Sequence, residues 1–171
     1  MKKVILHAGC GNSRLPPEYA HCDEVRLDID ELLENKPDII ANMAQLPDGI
    51  GPYDAVYCCH ALEHLYPYDV VPCLEGFLRV LKPGAPVILQ VPDLEGVEAN
   101  DETLYVVNGV EITGLDMIYG CGAVLKEWPA MAHHCGFVQK TLRAVLGRAG
   151  FERIGVHKLP QRNLFAVAYK P

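Results

Sequence analysis

The sequence lacks CxxC cysteine pairs, long hydrophobic runs and any excess of basic residues. Its seven cysteines are an odd set, which favours free thiols in a reducing cytoplasm over a disulfide framework. The first apolar run ends at His7, too early for a signal peptide, and no run approaches the roughly 20 residues of a membrane span. A net charge of −7 with scattered lysines and arginines disfavours nucleic acid as a partner. We therefore expect a cytoplasmic protein without membrane association.

Apolar runs ended by turn residues alternate with helical patterns in this chain of 171 residues. Strands are predicted at 4–8, 24–28, 38–40, 53–59, 86–91, 152–156 and 164–169. A helix is predicted from Asp69, as its N-cap, to Leu81, with Pro72 in its first turn, and a later helix ends at Gly150. This order predicts one α/β domain over residues 1–171, a three-layer, doubly wound, mostly parallel seven-stranded sheet.

Two segments depart from the usual proportions of such a fold. About fifteen residues separate the first two predicted strands, and the second crossover, over 31–37, is also short. The first helices must therefore be short. After the fifth strand, residues 96–132 form an irregular insertion with a predicted hairpin at Asn108-Gly109. Because long irregular stretches in compact domains are usually functional, we interpret the insertion as a lid.

Three segments that follow predicted strands have residue types suited to a nucleotide-type cofactor. Gly9 and Gly11 permit a tight turn and a close backbone approach to a ligand, with the amides that follow expected to point into the mouth of the sheet. Asp28 ends the second strand, where an acid accepts both hydrogen bonds from a ribose diol. Asn42-Met43 follows the third strand, where side-chain and backbone amides can bind an adenine edge. Their combination is more specific than the glycine turn alone.

An ordered set of motifs across residues 4–92 and 133–156 resembles the class I S-adenosylmethionine-dependent methyltransferases. The motifs are Leu6–Gly11, Leu27–Asp30, Asn42–Pro47, Tyr53–Val56, His60–Leu65, Arg79–Gly84, His134–Phe137 and Ala149–Phe151. Three positions depart from the family pattern: Ser13 and Ala85 stand where glycine is common, and Asn42 replaces the usual acid. The resemblance implies S-adenosylmethionine as cofactor. The negative net charge and the single short insertion favour a small molecule, or a modest glycan or lipid precursor, as acceptor. The implied cofactor-binding residues are Ala8, Gly9, Cys10, Gly11, Asp28, Ile29, Asn42, Met43, Cys59 and His60.

Methyl transfer requires chiefly the alignment of nucleophile, methyl carbon and sulfur, so it leaves no obligatory catalytic signature. A general base helps when the acceptor is a hydroxyl. His64 follows the fourth strand, and His133 and His134 end the insertion. We take these three histidines as candidate catalytic residues: His64 or His134 would orient or deprotonate the acceptor, while His60 would line the cofactor. The alternative for each histidine is that it only holds loops together.

The same residues admit three other interpretations. The chain could be a catalytically inactive cofactor-binding module or partner subunit. A nicotinamide-binding Rossmann domain is disfavoured because Arg14 stands where the third glycine of its fingerprint belongs. The run from His60 to His64 also spells H-x-x-E-H, an inverted zinc-hydrolase motif, but Pro67 interrupts any long helix and the methyltransferase motif accounts for the same residues. We therefore assign no metal, and leave the acceptor and the oligomeric state open.

Overall fold

The computed structural model describes residues 2–171 and is built on a seven-stranded sheet. The strands are β1 Val4–Ala8, β2 Asp23–Asp28, β3 Ile39–Ile40, β4 Ala55–Cys59, β5 Pro86–Pro92, β6 Thr103–Val107, β7 Val110–Thr113, β8 Glu152–Leu159 and β9 Asn163–Tyr169. The sheet order is β3-β2-β1-β4-β5-β9-β8, with β6 and β7 forming a separate hairpin. The first five strands are parallel, and β9 is antiparallel to both neighbours. The predicted mostly parallel α/β sheet is confirmed.

Four α-helices accompany the sheet within residues 2–171: α1 Pro67–Val80, α2 Gly114–Tyr119, α3 Gly122–Leu125 and α4 Gln139–Arg148. The predicted start of α1 was wrong, because the helix begins two residues before Asp69 with Tyr66 as its N-cap. Pro67 suits the first helical position since no N–H is needed there. Pro72 consequently lies inside the helix rather than in its first turn. Proline has no N–H, so one backbone carbonyl in the preceding turn lacks its helical donor. Pro72 is exposed, so water can bind that carbonyl. No helix among residues 2–171 is both long and apolar enough to cross a membrane.

The main hydrophobic core lies between the sheet and α1 and α4. Leu6 of β1, Val56 of β4 and Leu89 of β5 pack with Phe77 of α1 and Leu142 of α4, and all five are fully buried. Their spacing follows the two-residue period of strands and the 3.6-residue period of helices. This core holds the carboxyl ends of the central strands in fixed relative positions.

The opposite face of β1 and β2 is more polar, because the first crossover is as short as predicted. A 3-10 turn, Pro17–Tyr19, is the only helical element between β1 and β2 in the described chain. On this face His7 is 2% exposed, and its Nδ1 donates a hydrogen bond to Glu24 Oε1 over 2.7 Å. Burial lowers the pKa of His7 despite this bond. A buried neutral imidazole thus packs where a longer helix would place apolar side chains.

Arg26, in the middle of β2, ties down the loop that follows β1. Its side chain is almost fully buried, and its guanidinium donates to the backbone carbonyls of Gly11, Ser13 and Asn35. Arginine suits this role because its planar group presents several donors in a fixed fork. One charged side chain thereby replaces contacts that a longer first helix would supply.

The insertion contains more regular structure than its sequence pattern suggested. The hairpin of β6 and β7 turns at Asn108 and Gly109, as predicted, and both residues have positive φ. A capping box formed by Thr113 and Asp116 then begins α2. Met117, on α2, is buried and lines a cavity at the carboxyl edge of the sheet.

Candidate functional site

Three loops converge at Gly9, the first residue after β1. Gly9 has a φ of +62°, and a Cβ built on it would lie 2.4 Å from Ala61 Cβ and 3.7 Å from Met43 Sδ. Carbon atoms in ordinary contact lie about 3.5–4.0 Å apart. Only glycine fits this position, and the segments after β1, β3 and β4 therefore meet in one concave edge.

The amides of the loop after β1 are directed at β2, which corrects the expectation that they point into the mouth of the sheet. The amides of Gly9 and Cys10 donate to Leu27 O over 2.9 and 3.2 Å, and the amide of Gly11 donates to Asp28 Oδ2 over 2.8 Å. With so short a first helix, these donors find their partners in the neighbouring strand. The Cys10 thiol is buried, and burial raises its pKa to about 11, so this thiol serves packing rather than nucleophilic chemistry.

Asp28 lies at the end of β2 with acceptor capacity to spare. Its Oδ2 accepts the Gly11 amide and its Oδ1 accepts the Asp30 amide over 3.1 Å. A carboxylate has about four acceptor positions, so those not used by backbone amides can accept two ribose hydroxyls. Ile29, the next residue, is 65% exposed and offers an apolar surface beside the carboxylate. This edge fits a nucleoside.

Asn42 follows β3 and caps the 3-10 turn Met43–Gln45. Its Oδ1 accepts the Ala44 amide over 2.9 Å, which leaves the side-chain NH₂ as its free polar group. An acid at this position would offer only acceptors, so Asn42 presents the opposite hydrogen-bonding character to a bound base. Met43 is buried against Gly9.

The segment after β4 carries an unusual buried carboxylate. Cys59 ends β4, and His60 follows with a positive φ of 50°. Glu63, in the 3-10 turn Leu62–His64, is 1% exposed, and neither carboxylate oxygen has a hydrogen-bond partner. His60 Nδ1 lies 3.3 Å from Glu63 Oε1. Sequence reasoning treated Glu63 only as a motif match; the signal available was a single acid within an otherwise buried run.

Glu63 faces a cavity of about 180 Å³ between the sheet edge and the insertion. The cavity is lined by His60, Glu63, His64, Pro92, Tyr105, Ile112, Asp116, Met117, Cys121, Val124, Met131 and His133. The rings of His64 and His133 lie 5.1 Å apart between centroids. Burial lowers the pKa of His133, so its imidazole is neutral near pH 7. The wall of the cavity combines apolar side chains with a compact polar group.

The structure brings together two of the three candidate catalytic histidines. His134 is exposed and stacks on the Tyr66 ring, with centroids 4.2 Å apart. Its backbone amide and that of Cys135 donate to Glu63 O over 2.9 and 3.2 Å. His134 therefore supports the turn that carries Glu63, while its ring lies outside the cavity that His64 and His133 line.

The fold is that of class I methyltransferases, as solved structures show. The chain matches human N-acetylserotonin methyltransferase with a TM-score of 0.65 and 16% identity, over 98% of this chain and 47% of that one. It matches a Burkholderia thailandensis 1,6-didemethyltoxoflavin-N1-methyltransferase with a TM-score of 0.66 and 16% identity, over 99% and 71%. A Mesorhizobium loti S-adenosylmethionine-dependent methyltransferase matches with a TM-score of 0.69 and 16% identity, over 98% and 91%. The chain thus spans about half the length of the human protein.

Residues 6–89 also match the model of the methyltransferase domain family. This match and the shared fold are consistent with a class I S-adenosylmethionine-dependent methyltransferase. Comparison with curated protein sequences returned no significant match.

Proposed function

We propose that the chain binds S-adenosylmethionine where β1, β2, β3 and β4 end, and transfers its methyl group to a small-molecule acceptor in the cavity. The observation that carries this proposal is the convergence of three loops on Gly9, next to an Asp28 carboxylate with free acceptor positions. The human neighbour was crystallised with S-adenosylmethionine and the Burkholderia neighbour with S-adenosylhomocysteine, in agreement with this choice of cofactor.

Each residue at the sheet edge would contact a different part of the cofactor. Asp28 would accept the ribose hydroxyls, and Ile29 would pack on the adenine. The Asn42 side-chain amide and the Met43 backbone amide would bind the adenine edge. The loop from Ala8 to Gly11 would enclose the amino-acid end. Cys59 ends β4, and His60, the next residue, lines the cavity; we place the sulfonium beside these two residues.

The cavity would hold the acceptor and exclude water. S-adenosylmethionine supplies, when bound, an electrophilic methyl carbon on a cationic sulfur. Ile112 and Met117 give the cavity apolar walls, while Glu63, His64 and His133 form one polar side. These groups would accept hydrogen bonds from a hydroxyl or amine and orient it, which is the main demand of methyl transfer. The Burkholderia neighbour holds a small molecule, in keeping with an acceptor of this size.

We propose the cytoplasm as the compartment. All seven cysteines are free in the structure, and three of them are buried. Free thiols in this number suit a reducing environment.

An Asp28→Ala variant tests the cofactor site. We expect it to weaken binding of S-adenosylhomocysteine by roughly tenfold to 150-fold, because hydrogen bonds to a charged group are worth about 1.5–3 kcal/mol. Isothermal titration calorimetry on the full chain measures this. The matched control is Asp30→Ala, since the Asp30 carboxylate caps only the exposed turn at Leu32. Equal affinity of Asp28→Ala and the wild type would refute the assignment.

Transfer itself is tested by incubating the chain with labelled S-adenosylmethionine and pools of small-molecule acceptors. A labelled product that requires Asp28 supports the enzyme. Cofactor binding without any labelled product would support the inactive binding module instead.

A further inference from the structure

Glu63 is a buried acid that receives no hydrogen bond from the described residues. Its side chain is 2% exposed, and both carboxylate oxygens lack a hydrogen bond within the described chain. The nearest cationic candidate, His60 Nδ1, lies 3.3 Å from Oε1 without hydrogen-bond geometry. Burying a carboxylate without compensating contacts destabilises the folded state. A bound ion is one way to satisfy such a group.

His64 and His133 are held with their second ring nitrogens available. His64 Nδ1 lies 3.1 Å from Ala132 O, and His133 Nδ1 lies 2.9 Å from Met117 O. A carbonyl oxygen can only accept, so each Nδ1 carries a proton, and Nε2 is the ring nitrogen left to bind a ligand. Histidines that ligate metals characteristically donate their other ring nitrogen to a carbonyl or carboxylate in this way.

The three side chains lie close enough to share one ion. One ligand atom each from Glu63, His64 and His133 lie within 4.8 Å of one another. Ligand atoms around a tetrahedral ion with bonds of about 2.0–2.2 Å lie roughly 3.4 Å apart, a difference that small side-chain rotations remove. The backbone on both sides is already fixed, because the amides of His134 and Cys135 donate to Glu63 O.

We propose that Glu63, His64 and His133 bind a divalent transition-metal ion, for which Zn²⁺ is the best match. Two imidazoles and one carboxylate are a common donor set for zinc sites that keep an open position for water or substrate. All three residues line the cavity, so a ligand of the ion would come from there. This differs from the expectation of no metal drawn from the sequence, since only the fold brings His133 to the Glu63–His64 pair.

The site also indicates the class of acceptor, an inference that rests on the proposed function. The ion would bind an oxygen of the acceptor and lower the pKa of a hydroxyl there. The hydroxyl proton would pass to solvent, and the oxygen lone pair would form the bond to the methyl carbon as the carbon–sulfur bond breaks. We therefore expect a hydroxyl-bearing acceptor.

Metal titration of the untagged full chain, stripped with a chelator, tests the site. We expect one Zn²⁺ per chain by calorimetry, and Co²⁺ absorption bands typical of a low-coordinate site with nitrogen and oxygen ligands. Glu63→Gln and His133→Gln should each weaken Zn²⁺ binding by roughly tenfold to 100-fold. The matched control is His134→Gln, next to His133 in sequence but with its ring outside the cavity, and it should bind Zn²⁺ like the wild type.

Far-ultraviolet circular dichroism and binding of S-adenosylhomocysteine show that each variant is folded. If Glu63→Gln does not fold, His133→Gln, directly after the insertion, tests the site alone. Asp28→Ala should bind S-adenosylhomocysteine more weakly and Zn²⁺ like the wild type, so failure of the cofactor site and failure of the metal site are distinguishable. Absence of stoichiometric Zn²⁺, or Zn²⁺ binding that survives the Glu63 and His133 substitutions, would overturn the proposal.

Discussion

The packing at Gly9 yields the sharpest quantitative prediction. A Gly9→Ala substitution places a methyl group 2.4 Å from Ala61 Cβ on a backbone with φ of +62°. Gly11→Ala shares the positive φ, at +49°, but its Cβ would have no neighbour within 4 Å. The pair separates the cost of backbone strain from the cost of the collision.

The magnitude follows from these two terms. Placing an L side chain in the left-handed region costs about 1–2 kcal/mol, and this is the whole expected cost at Gly11. Overpacking a well-packed core adds about 1–3 kcal/mol, because β1 and the Ala61 segment must move apart. We therefore expect Gly9→Ala to lower the free energy of unfolding by about 2–5 kcal/mol and to weaken S-adenosylhomocysteine binding more than Gly11→Ala does.

A double-mutant cycle with Ala61→Gly isolates the collision. Removing the Ala61 methyl group relieves the contact and leaves only the strain at position 9, so the coupling energy should be favourable by about 1–3 kcal/mol. Denaturant unfolding measures the stabilities, and calorimetry measures the nucleoside affinities. If Gly9→Ala and Gly11→Ala destabilise the protein equally, or if Ala61→Gly gives no rescue, then contact with Ala61 is not the reason that position 9 requires glycine.

Two further predictions concern the polar face of β1 and β2. Arg26→Lys should lower the free energy of unfolding by about 1.5–3 kcal/mol in chemical denaturation, because a lysine cannot reproduce the forked hydrogen bonds to several carbonyls. The control is Arg14→Lys, since Arg14 is an exposed arginine beside the same Glu24. Equal stability of the two variants would contradict the role of Arg26. The pKa of His7 in the folded protein lies below its ordinary 6.5, so the unfolded chain binds more protons than the folded chain. The stability associated with His7 is therefore present above pH 6.5 and is lost as the pH falls from 6.5 through the folded pKa. Unfolding curves across that range should show this loss in the wild type and a smaller one in His7→Gln; identical pH profiles would show that His7 is not the group responsible.

Much of the fold followed from local patterns in the sequence. The glycine after β1, the acid ending β2 and the turn at Asn108-Gly109 are each specified by a few adjacent residues, because turn geometry and strand period are local properties. The start of α1 was missed because Pro67 and Asp69 are both acceptable near a helix N-terminus, and packing decides between them. The direction of the loop amides was missed because their acceptors lie on another strand.

By itself, the sequence determined the order of the strands along the chain, the short crossovers and the segments that form the candidate cofactor site. Hydrophobic period, glycine and proline encode these features within short windows of chain. Only the tertiary structure decided which polar groups meet. Glu63 and His133 are far apart in the chain, and the Arg26 guanidinium reaches three carbonyls in two different loops. Such contacts depend on how buried surfaces pack together, which no local pattern records.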